Sequence, residues 1–208
     1  MKKLAIIGSG ELADQIIDQV EQTNDYKIVG LIDNKDGASS KYPIIGNDED
    51  IEELYKSGEV DCFFIGIGYA HFNIRKKIYE NFKGKVPFAN IIHPTAFINS
   101  TVKMGEGVFV GVKAIVNYES QIGNNIIILA GAHVGNYDVI EDHTYIAPCA
   151  VLAGKVSIGE CCFLGVNSTF RDGVSIPANC TIGCGATVTK TLNESGVYIG
   201  SPAKILIK

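Results

Sequence analysis

One period governs nearly half of this chain. Counted in sixes from Ile92 to Ile182, all sixteen residues are apolar, and the register never slips. The side chain four residues after each apolar position is small in most repeats, and the exceptions are Ile126 and Asp138. A hexapeptide repeat of this kind is typical of a parallel β-helix, in which three repeats form one triangular coil. The period therefore predicts a prism of a little over five coils.

The first ninety residues instead alternate strand and helix signals. Strands are predicted in KKLAIIG, YKIVGLID, VDCFFIGIG and PFANII, and helices in ELADQIIDQVEQ, IGNDEDIEELYKSG and FNIRKKIYENF. Alternation of this length predicts a small parallel sheet, equivalent to half of a dinucleotide-binding fold. We therefore predict an α/β domain over residues 1–91, followed by a β-helix with a C-terminal tail over residues 92–208.

Composition excludes several classes of function. The formal charge of −5, without a basic tract, argues against binding of nucleic acid. The six cysteines form no CxxC pair, so we expect buried free thiols and no metal site. The longest apolar run is too short to span a membrane, and MKKLAIIGSG reaches glycine too early for a signal peptide. These features predict a cytoplasmic protein.

The order of motifs along the whole chain resembles a known family. The repeat register and the closing GSPAK resemble the left-handed β-helix acyltransferases. The glycine-rich βαβ segment, NIIHPTA, FLGVNSTFRDGVSI, IGCGATVTK and GVYIGSPAK resemble the NeuD/PglD-type group, which comprises bacterial N-acetyltransferases of nucleotide-linked amino sugars and some sialic acid O-acetyltransferases. The resemblance implies acetyl-CoA as acyl donor and a UDP-, GDP- or dTDP-linked amino sugar as acceptor, in surface glycan biosynthesis. It also implies a homotrimer with clefts between adjacent prisms.

In that group the sheet domain binds the nucleotide sugar through loops at the strand ends. The matching residues here are Gly8, Ser9, Gly10, Asp33, Asn34 and Gly68. Bare amides at the start of a helix can face an anion, although GSG is also a common helix-start turn. GSGELA also fits a dinucleotide-binding pattern, but a full dinucleotide fold needs a second βαβ half, so NAD is disfavoured.

The resemblance places acetyl-CoA along the later coils, near Tyr145, Val166 and Cys184. For Cys184, a buried thiol without contact to the cofactor is the alternative interpretation. The outward positions of the repeat include Tyr118, Ile127, Tyr145 and Phe163. Exposed apolar area on that scale usually marks an interface, which supports the expected trimer.

The stretch VGNYDVIEDHTYIAP departs from the family where its chemistry should lie. A catalytic histidine followed by an acidic residue falls at Asn136 and Tyr137, and a second family histidine falls at Tyr145. Asparagine cannot accept a proton. General-base catalysis typically supplies about 10²–10⁴-fold in rate. The predicted catalytic positions are therefore Asn136 and Tyr137, with His143 as a relocated base.

Three functional interpretations remain open for this stretch, beside a purely structural one. An acceptor amine that is partly neutral could react with a weak or water-relayed base. The base could have moved to His143 or Asp138, whereas His133 should point outward. The protein could instead be a catalytically silent relative that keeps the sugar site. Asn136 could also be a corner residue only, because asparagine tolerates left-handed turns.

Overall fold

The computed structural model describes residues 1–23, 25–34 and 41–206, and the chain divides into two compact units, Met1–His93 and Pro94–Lys208. The elements of the first unit are β1 (Lys2–Ile7), α1 (Glu11–Glu21), β2 (Tyr26–Ile32), β3 (Ile44–Gly46), α2 (Ile51–Lys56), β4 (Cys62–Ile65), α3 (Phe72–Phe82) and β5 (Ile91–Ile92), with short 3₁₀ turns at Asp48–Asp50 and Tyr69–His71. No helix of the described residues is long and apolar enough to cross a membrane.

The first unit is built on a parallel sheet with strand order β3-β2-β1-β4. Alternating strands and helices require this arrangement, because each crossover returns the chain to the same edge of the sheet. Asn47 begins the turn before α2 with a capping box, and Gly58 follows that helix with a left-handed φ of 74°. The carboxyl ends of β1, β2 and β4 therefore lie side by side.

Two details of this unit differ from the sequence-based expectation. The short strand β3 was not predicted, because three residues are too few to establish an alternation. The strand predicted in PFANII is reduced to an isolated bridge between Phe63 and Phe88 and to the two residues of β5. The four-stranded sheet therefore contains β3 in place of that segment.

The second unit is a left-handed parallel β-helix, as the six-residue period predicts. Its two-residue strands are β6 (Phe97–Ile98), β7 (Lys103–Met104), β8 (Phe109–Val110), β9 (Ile115–Val116), β10 (Gln121–Ile122), β11 (Ile127–Ile128), β12 (His133–Val134), β13 (Val139–Ile140), β14 (Tyr145–Ile146), β15 (Val151–Leu152), β16 (Ser157–Ile158), β17 (Phe163–Leu164), β18 (Thr169–Phe170), β19 (Ser175–Ile176), β20 (Thr181–Ile182) and β21 (Thr187–Val188). A tail adds β22 (Val197–Ile199) and β23 (Lys204–Ile205).

These strands form three parallel sheets, which are the faces of the prism. Face I contains β6, β9, β12, β15, β18 and β21, and face II contains β7, β10, β13, β16 and β19. Face III contains β8, β11, β14, β17 and β20, extended by the tail strands. Paired residues differ by one eighteen-residue coil, as in Gln121 with Val139. We name the corners edge I–II, edge II–III and edge III–I.

The corners follow a strict backbone rule. Every sixth residue from Gly107 to Gly185 has a left-handed φ, between 51° and 70°. Tyr137 (φ 60°) and His143 (φ 65°) occupy such positions, whereas Asn136 is not among the described residues with positive φ. The interpretation of Asn136 as a left-handed corner residue is therefore wrong, because Tyr137 makes the turn.

Candidate active site

The loops that follow β1, β2 and β4 meet at the carboxyl edge of the sheet. The Gly8 amide donates to the Ile32 carbonyl at 2.8 Å, and the Gly66 amide donates to the Ile7 carbonyl at 2.8 Å. Gly8 has φ 102°, and a Cβ there would stand 2.9 Å from Cγ1 of Ile67. Only glycine satisfies both constraints. The loops that follow β1 and β4 are thus in direct contact.

Polar side chains from the predicted loops also meet at this edge. The Ser9 hydroxyl donates a short hydrogen bond to Oδ2 of Asp33. Asn34 turns away from that pair, and its Nδ2 donates to Oδ2 of Asp48 at 2.9 Å. Gly10 and Gly68 begin helical turns with no atom within 4 Å of an added Cβ. Open backbone therefore flanks the Ser9–Asp33 pair, as anion binding through main-chain amides requires.

The predicted catalytic residues lie on two different edges of the prism. Asn136 and Tyr137 are exposed on edge I–II, and the Tyr137 ring packs edge-on against Tyr118 at 5.6 Å between centroids. His143 lies on edge II–III and is only 1% exposed. Its Nδ1 stands 3.0 Å from Nδ2 of Asn125. One chain therefore does not bring His143 to Asn136.

The backbone at edge I–II is rebuilt around Asp138. On face I an amide such as that of Asn117 donates to the carbonyl one coil above, here Val134 at 3.1 Å. The Gly135 amide donates instead to Oδ2 of Asp138 at 2.7 Å, and the Val156 amide donates to Oδ1 at 2.9 Å. The carboxylate thus replaces one ladder bond, that of Gly135, and one bond within a turn, that of Val156. This role explains why a small residue is missing from this repeat.

The surroundings of Asp138 oppose its charge. Its side chain is fully buried, and this burial raises its pKa to about 6, although the amides of Val156 and Gly135 act in the opposite direction. Both oxygens point into the prism toward backbone amides. The carboxylate therefore positions the corner and offers no exposed oxygen to a substrate on this chain.

The predicted cofactor residues divide between an edge and a face. Val166 (44% exposed) and the exposed Cys184 adjoin one another on edge III–I, where the Gly185 amide donates to the Val166 carbonyl at 2.8 Å. Val112, three coils below Val166, is also exposed on that edge. This line of small apolar side chains suits the thin pantetheine arm of CoA. The alternative of a buried Cys184 thiol is wrong.

Two outward residues expected to be exposed are covered. Tyr145 is 6% exposed, and its ring stacks on Phe163 at 5.7 Å between centroids. Ile127, which pairs with Tyr145 one coil below, is fully buried. The period places both side chains outward correctly, but it carries no information about what covers a face. Tyr145 therefore serves packing on face III rather than an open contact surface.

A groove of about 590 Å³ lies on face II. Its lining includes Lys103, Gln121, Val139, Glu141 and Glu160, and it contains neither Asn136 nor any residue of edge III–I. The groove therefore belongs to a surface separate from the predicted catalytic and cofactor residues.

One polar contact beside edge I–II was not identified from the sequence. The His133 side chain, on β12, places Nε2 2.7 Å from Nδ2 of Asn117. The sequence indicated only that His133 points outward. A histidine three residues before Asn136, on the strand that enters the same edge, was the available signal.

A segment of each unit matches a known protein family. Residues 3–82 match the family model of the PglD N-terminal domain, and residues 155–190 match the hexapeptide repeat of succinyl-transferase. UDP-N-acetylbacillosamine N-acetyltransferase of Bacillus subtilis is 28% identical over 112 residues, which cover 51% of this chain and 50% of that protein. The chain spans between about a fifth and a half of the length of the curated relatives it matches.

Solved structures match over the entire chain. A perosamine N-acetyltransferase mutant from Caulobacter crescentus, with one histidine replaced by asparagine and in complex with CoA and GDP-perosamine, has a TM-score of 0.93 and 31% identity, covering 100% of this chain and 98% of that one. The acetyltransferase domain of PglB from Neisseria gonorrhoeae, in complex with acetyl coenzyme A, has a TM-score of 0.87 and 25% identity, covering 99% of each chain. The chain belongs to the PglD-type family of nucleotide-amino-sugar N-acetyltransferases with a left-handed β-helix.

Proposed function

We propose that this protein transfers the acetyl group of acetyl-CoA to the amino group of a nucleotide-linked amino sugar. The observation that carries the proposal is the match of the whole chain, at a TM-score of 0.93, to a protein crystallised with CoA and GDP-perosamine. The open backbone at the sheet edge supports binding of the nucleotide sugar, and the apolar line on edge III–I supports binding of CoA. Residues 1–91 would bind the nucleotide sugar, and residues 92–208 would carry out acyl transfer.

The sheet domain offers the chemistry that a nucleotide diphosphate needs. Gly10 and Gly68 leave open space beside the backbone, where main-chain amides can approach phosphate oxygens, and Gly8 makes the tight turn that precedes them. Asp33 accepts from Ser9 at the end of β2, where a carboxylate can also accept from ribose or base donors. Asn34 extends the same surface toward Asp48.

The prism is proposed to work as a homotrimer. Phe97, Ile115 and Val151 form an exposed apolar stripe along face I, continued at its border by Tyr118. Such a stripe on an otherwise polar surface is typical of an interface. Asn136 lies on edge I–II, and the proposed CoA residues lie on edge III–I. Cyclic packing of prisms brings edges of different copies together, so the site would be completed between copies.

Turnover tests this function. The purified protein is incubated with acetyl-CoA and a panel of UDP-, GDP- and dTDP-linked amino sugars, while thiol release and the mass of the sugar nucleotide are followed. We expect release of CoA matched by gain of one acetyl group on one or more panel members. The new bond should resist mild alkali, because an amide survives conditions that cleave an ester. A product that is cleaved would identify O-acetylation instead.

A silent relative is the second candidate. In the Caulobacter enzyme, the mutant with asparagine in place of a histidine was crystallised with both CoA and GDP-perosamine. Asn136 stands where the family resemblance places the catalytic histidine, so binding without turnover is chemically reasonable here. Calorimetric binding of both ligands, with acetyl transfer no faster than the uncatalysed rate, would establish this alternative.

A further inference from the structure

An imidazole stands beside the edge that lacks the family base. His133 is partly exposed on face I, and its strand runs directly into the corner of Asn136. Its Nε2 lies 2.7 Å from the side-chain amide of Asn117. Asn117 precedes Tyr118, whose carbonyl accepts from the Tyr137 amide at 2.8 Å. The ring is therefore tied to the same corner through one side chain.

The other groups near this corner are unsuited to accept a proton from a substrate. The Asn136 amide has no basic lone pair. Asp138 is fully buried with both oxygens on backbone amides, and His143 is buried on another edge. His133 thus combines a basic side chain, partial exposure on this chain and a fixed position beside edge I–II.

Resting on the proposed N-acetyltransferase function, we propose that His133 is the general base of this protein and that Asn117 orients its ring. His133 is the catalytic residue in this assignment, because its ring would accept the proton directly from the acceptor amine. Asn117 is a positioning residue, because it acts only through the ring.

The Asn117 amide suits this role chemically. An amide carries a donor and an acceptor of nearly equal shape, so a half-turn of the side chain exchanges them. In the structure Nδ2 faces Nε2 of the ring. A half-turn of the amide brings Oδ1 to the ring, and Asn117 then accepts the Nε2–H and leaves the Nδ1 lone pair to accept a proton. The same contact persists in the imidazolium, which keeps its Nε2–H. Asn117 therefore holds the ring in one orientation before and after proton transfer.

The reaction balances with this single base. The amine nitrogen attacks the thioester carbonyl, a C–N bond forms, and the C–S bond breaks with departure of the CoA thiolate. The proton lost by nitrogen passes to Nδ1 of His133. The imidazolium then returns that proton to the thiolate or to water, which gives the acetamide, CoA and the neutral ring.

The neighbours of His133 support a reactive ring. The residues that pair with it in adjacent coils are Ile115 and Val151, both exposed and uncharged. They lie in the apolar stripe of face I, so a second copy packed on that stripe would keep water from the sides of the imidazole that face Ile115 and Val151, and the side toward edge I–II would stay open to the acceptor. Removal of competing water strengthens the hydrogen bonds that orient it.

Steady-state kinetics of His133→Gln test the assignment. Glutamine can still hydrogen-bond Asn117 but cannot accept a proton. We expect kcat to fall by about 10²–10⁴-fold, the usual contribution of a general base, with KM for both substrates within about threefold of wild type. The difference in kcat between wild type and His133→Gln should become smaller as pH rises, because the amine then loses its proton to solvent without a protein base. Thr169→Gln, on the same face two coils above, is the matched control and should keep wild-type activity.

Two variants of Asn117 provide a second test. Asn117→Asp retains an acceptor for the ring N–H and should keep most of kcat, whereas Asn117→Leu should lower kcat at unchanged KM. If wild type acetylates an amino sugar and the kcat of His133→Gln lies within threefold of the wild-type kcat, His133 is not the base, and the proposed function stands. If wild type acetylates no member of the panel, the proposed function fails and this assignment fails with it. Equal kcat for the two Asn117 variants would overturn the positioning role alone.

Discussion

The backbone amide of Tyr137 donates to the carbonyl of Tyr118 at 2.8 Å, and the two exposed rings pack edge to face at 5.6 Å. The pair forms an aromatic wall on edge I–II beside Asn136. Tyr137 makes this contact from a left-handed backbone position, which costs a non-glycine residue roughly 1–2 kcal/mol. The contact and the strain therefore oppose each other in stability.

Stability measurements on two variants should separate these terms. Tyr118→Ala removes the ring contact alone, and we expect a loss of about 0.5–1.5 kcal/mol in the free energy of unfolding. Tyr137→Asn removes the same contact but places a residue that tolerates left-handed φ, so its loss should be smaller or absent. Denaturant titration of the two variants beside wild type measures both values. A larger loss for Tyr137→Asn than for Tyr118→Ala would contradict the assigned strain.

Asp138 should make stability depend on pH. Its folded pKa of about 6 lies above the ordinary 3.8, so the folded state binds more protons between these values. The resulting stabilisation is fully present below pH 3.8 and is lost as pH rises through 6, by about 3 kcal/mol in total. Asp138→Asn removes this titration. The free energy of unfolding of wild type minus that of the variant should therefore decrease from pH 4 to pH 7. A constant difference would refute the assignment.

A base restored at the family position should compensate for loss of His133. In the His133→Gln background, Asn136→His combined with Tyr137→Glu should raise kcat at least about tenfold, which is below the 10²–10⁴ typical of a well-placed base. Glutamate is acceptable at the corner, because Glu119 occupies the equivalent left-handed position one coil below. The control is the same pair with Asn136→Gln. An equal gain in the control would show that proton transfer is not what was restored.

The Ser9–Asp33 hydrogen bond should contribute to nucleotide binding. Ser9→Ala leaves the Asp33 carboxylate without its hydroxyl donor and loosens the loop, so we expect KM for the nucleotide sugar to rise about tenfold. KM for acetyl-CoA should stay unchanged. Thr23→Ala, which removes a hydroxyl bonded to Val20 at the other end of α1, is the control. Parallel changes in both KM values would argue against a role in the sugar site.

The apolar stripe on face I should hold copies together. Ile115→Glu places a charge in the stripe, where burial against a second copy carries a desolvation cost of several kcal/mol. We expect wild type to sediment as a trimer and Ile115→Glu as a monomer with an unchanged circular dichroism spectrum. A wild-type monomer at micromolar concentration would remove the trimer from the proposal.

The amino-acid sequence by itself determined the two-unit organisation, the coils and their faces. A six-residue period without insertions leaves one way to stack, because each coil must place its apolar residue inside and its turn at a corner. It also indicated the loops around Ser9 and Asp33, since the carboxyl ends of neighbouring parallel strands always meet. The strand β3 was not predicted, because so short a segment shows no alternation of apolar and polar residues.

Only the tertiary structure decided what each outward or corner residue does. In the structure Tyr145 and Ile127 are buried, and the left-handed turn lies at Tyr137. The Asp138 side chain points inward and accepts hydrogen bonds from two backbone amides. The tertiary structure also brought His133 to Asn117, sixteen residues earlier in the chain. A period specifies whether a side chain points in or out, but burial and hydrogen bonding depend on residues a full coil away, which no local pattern contains.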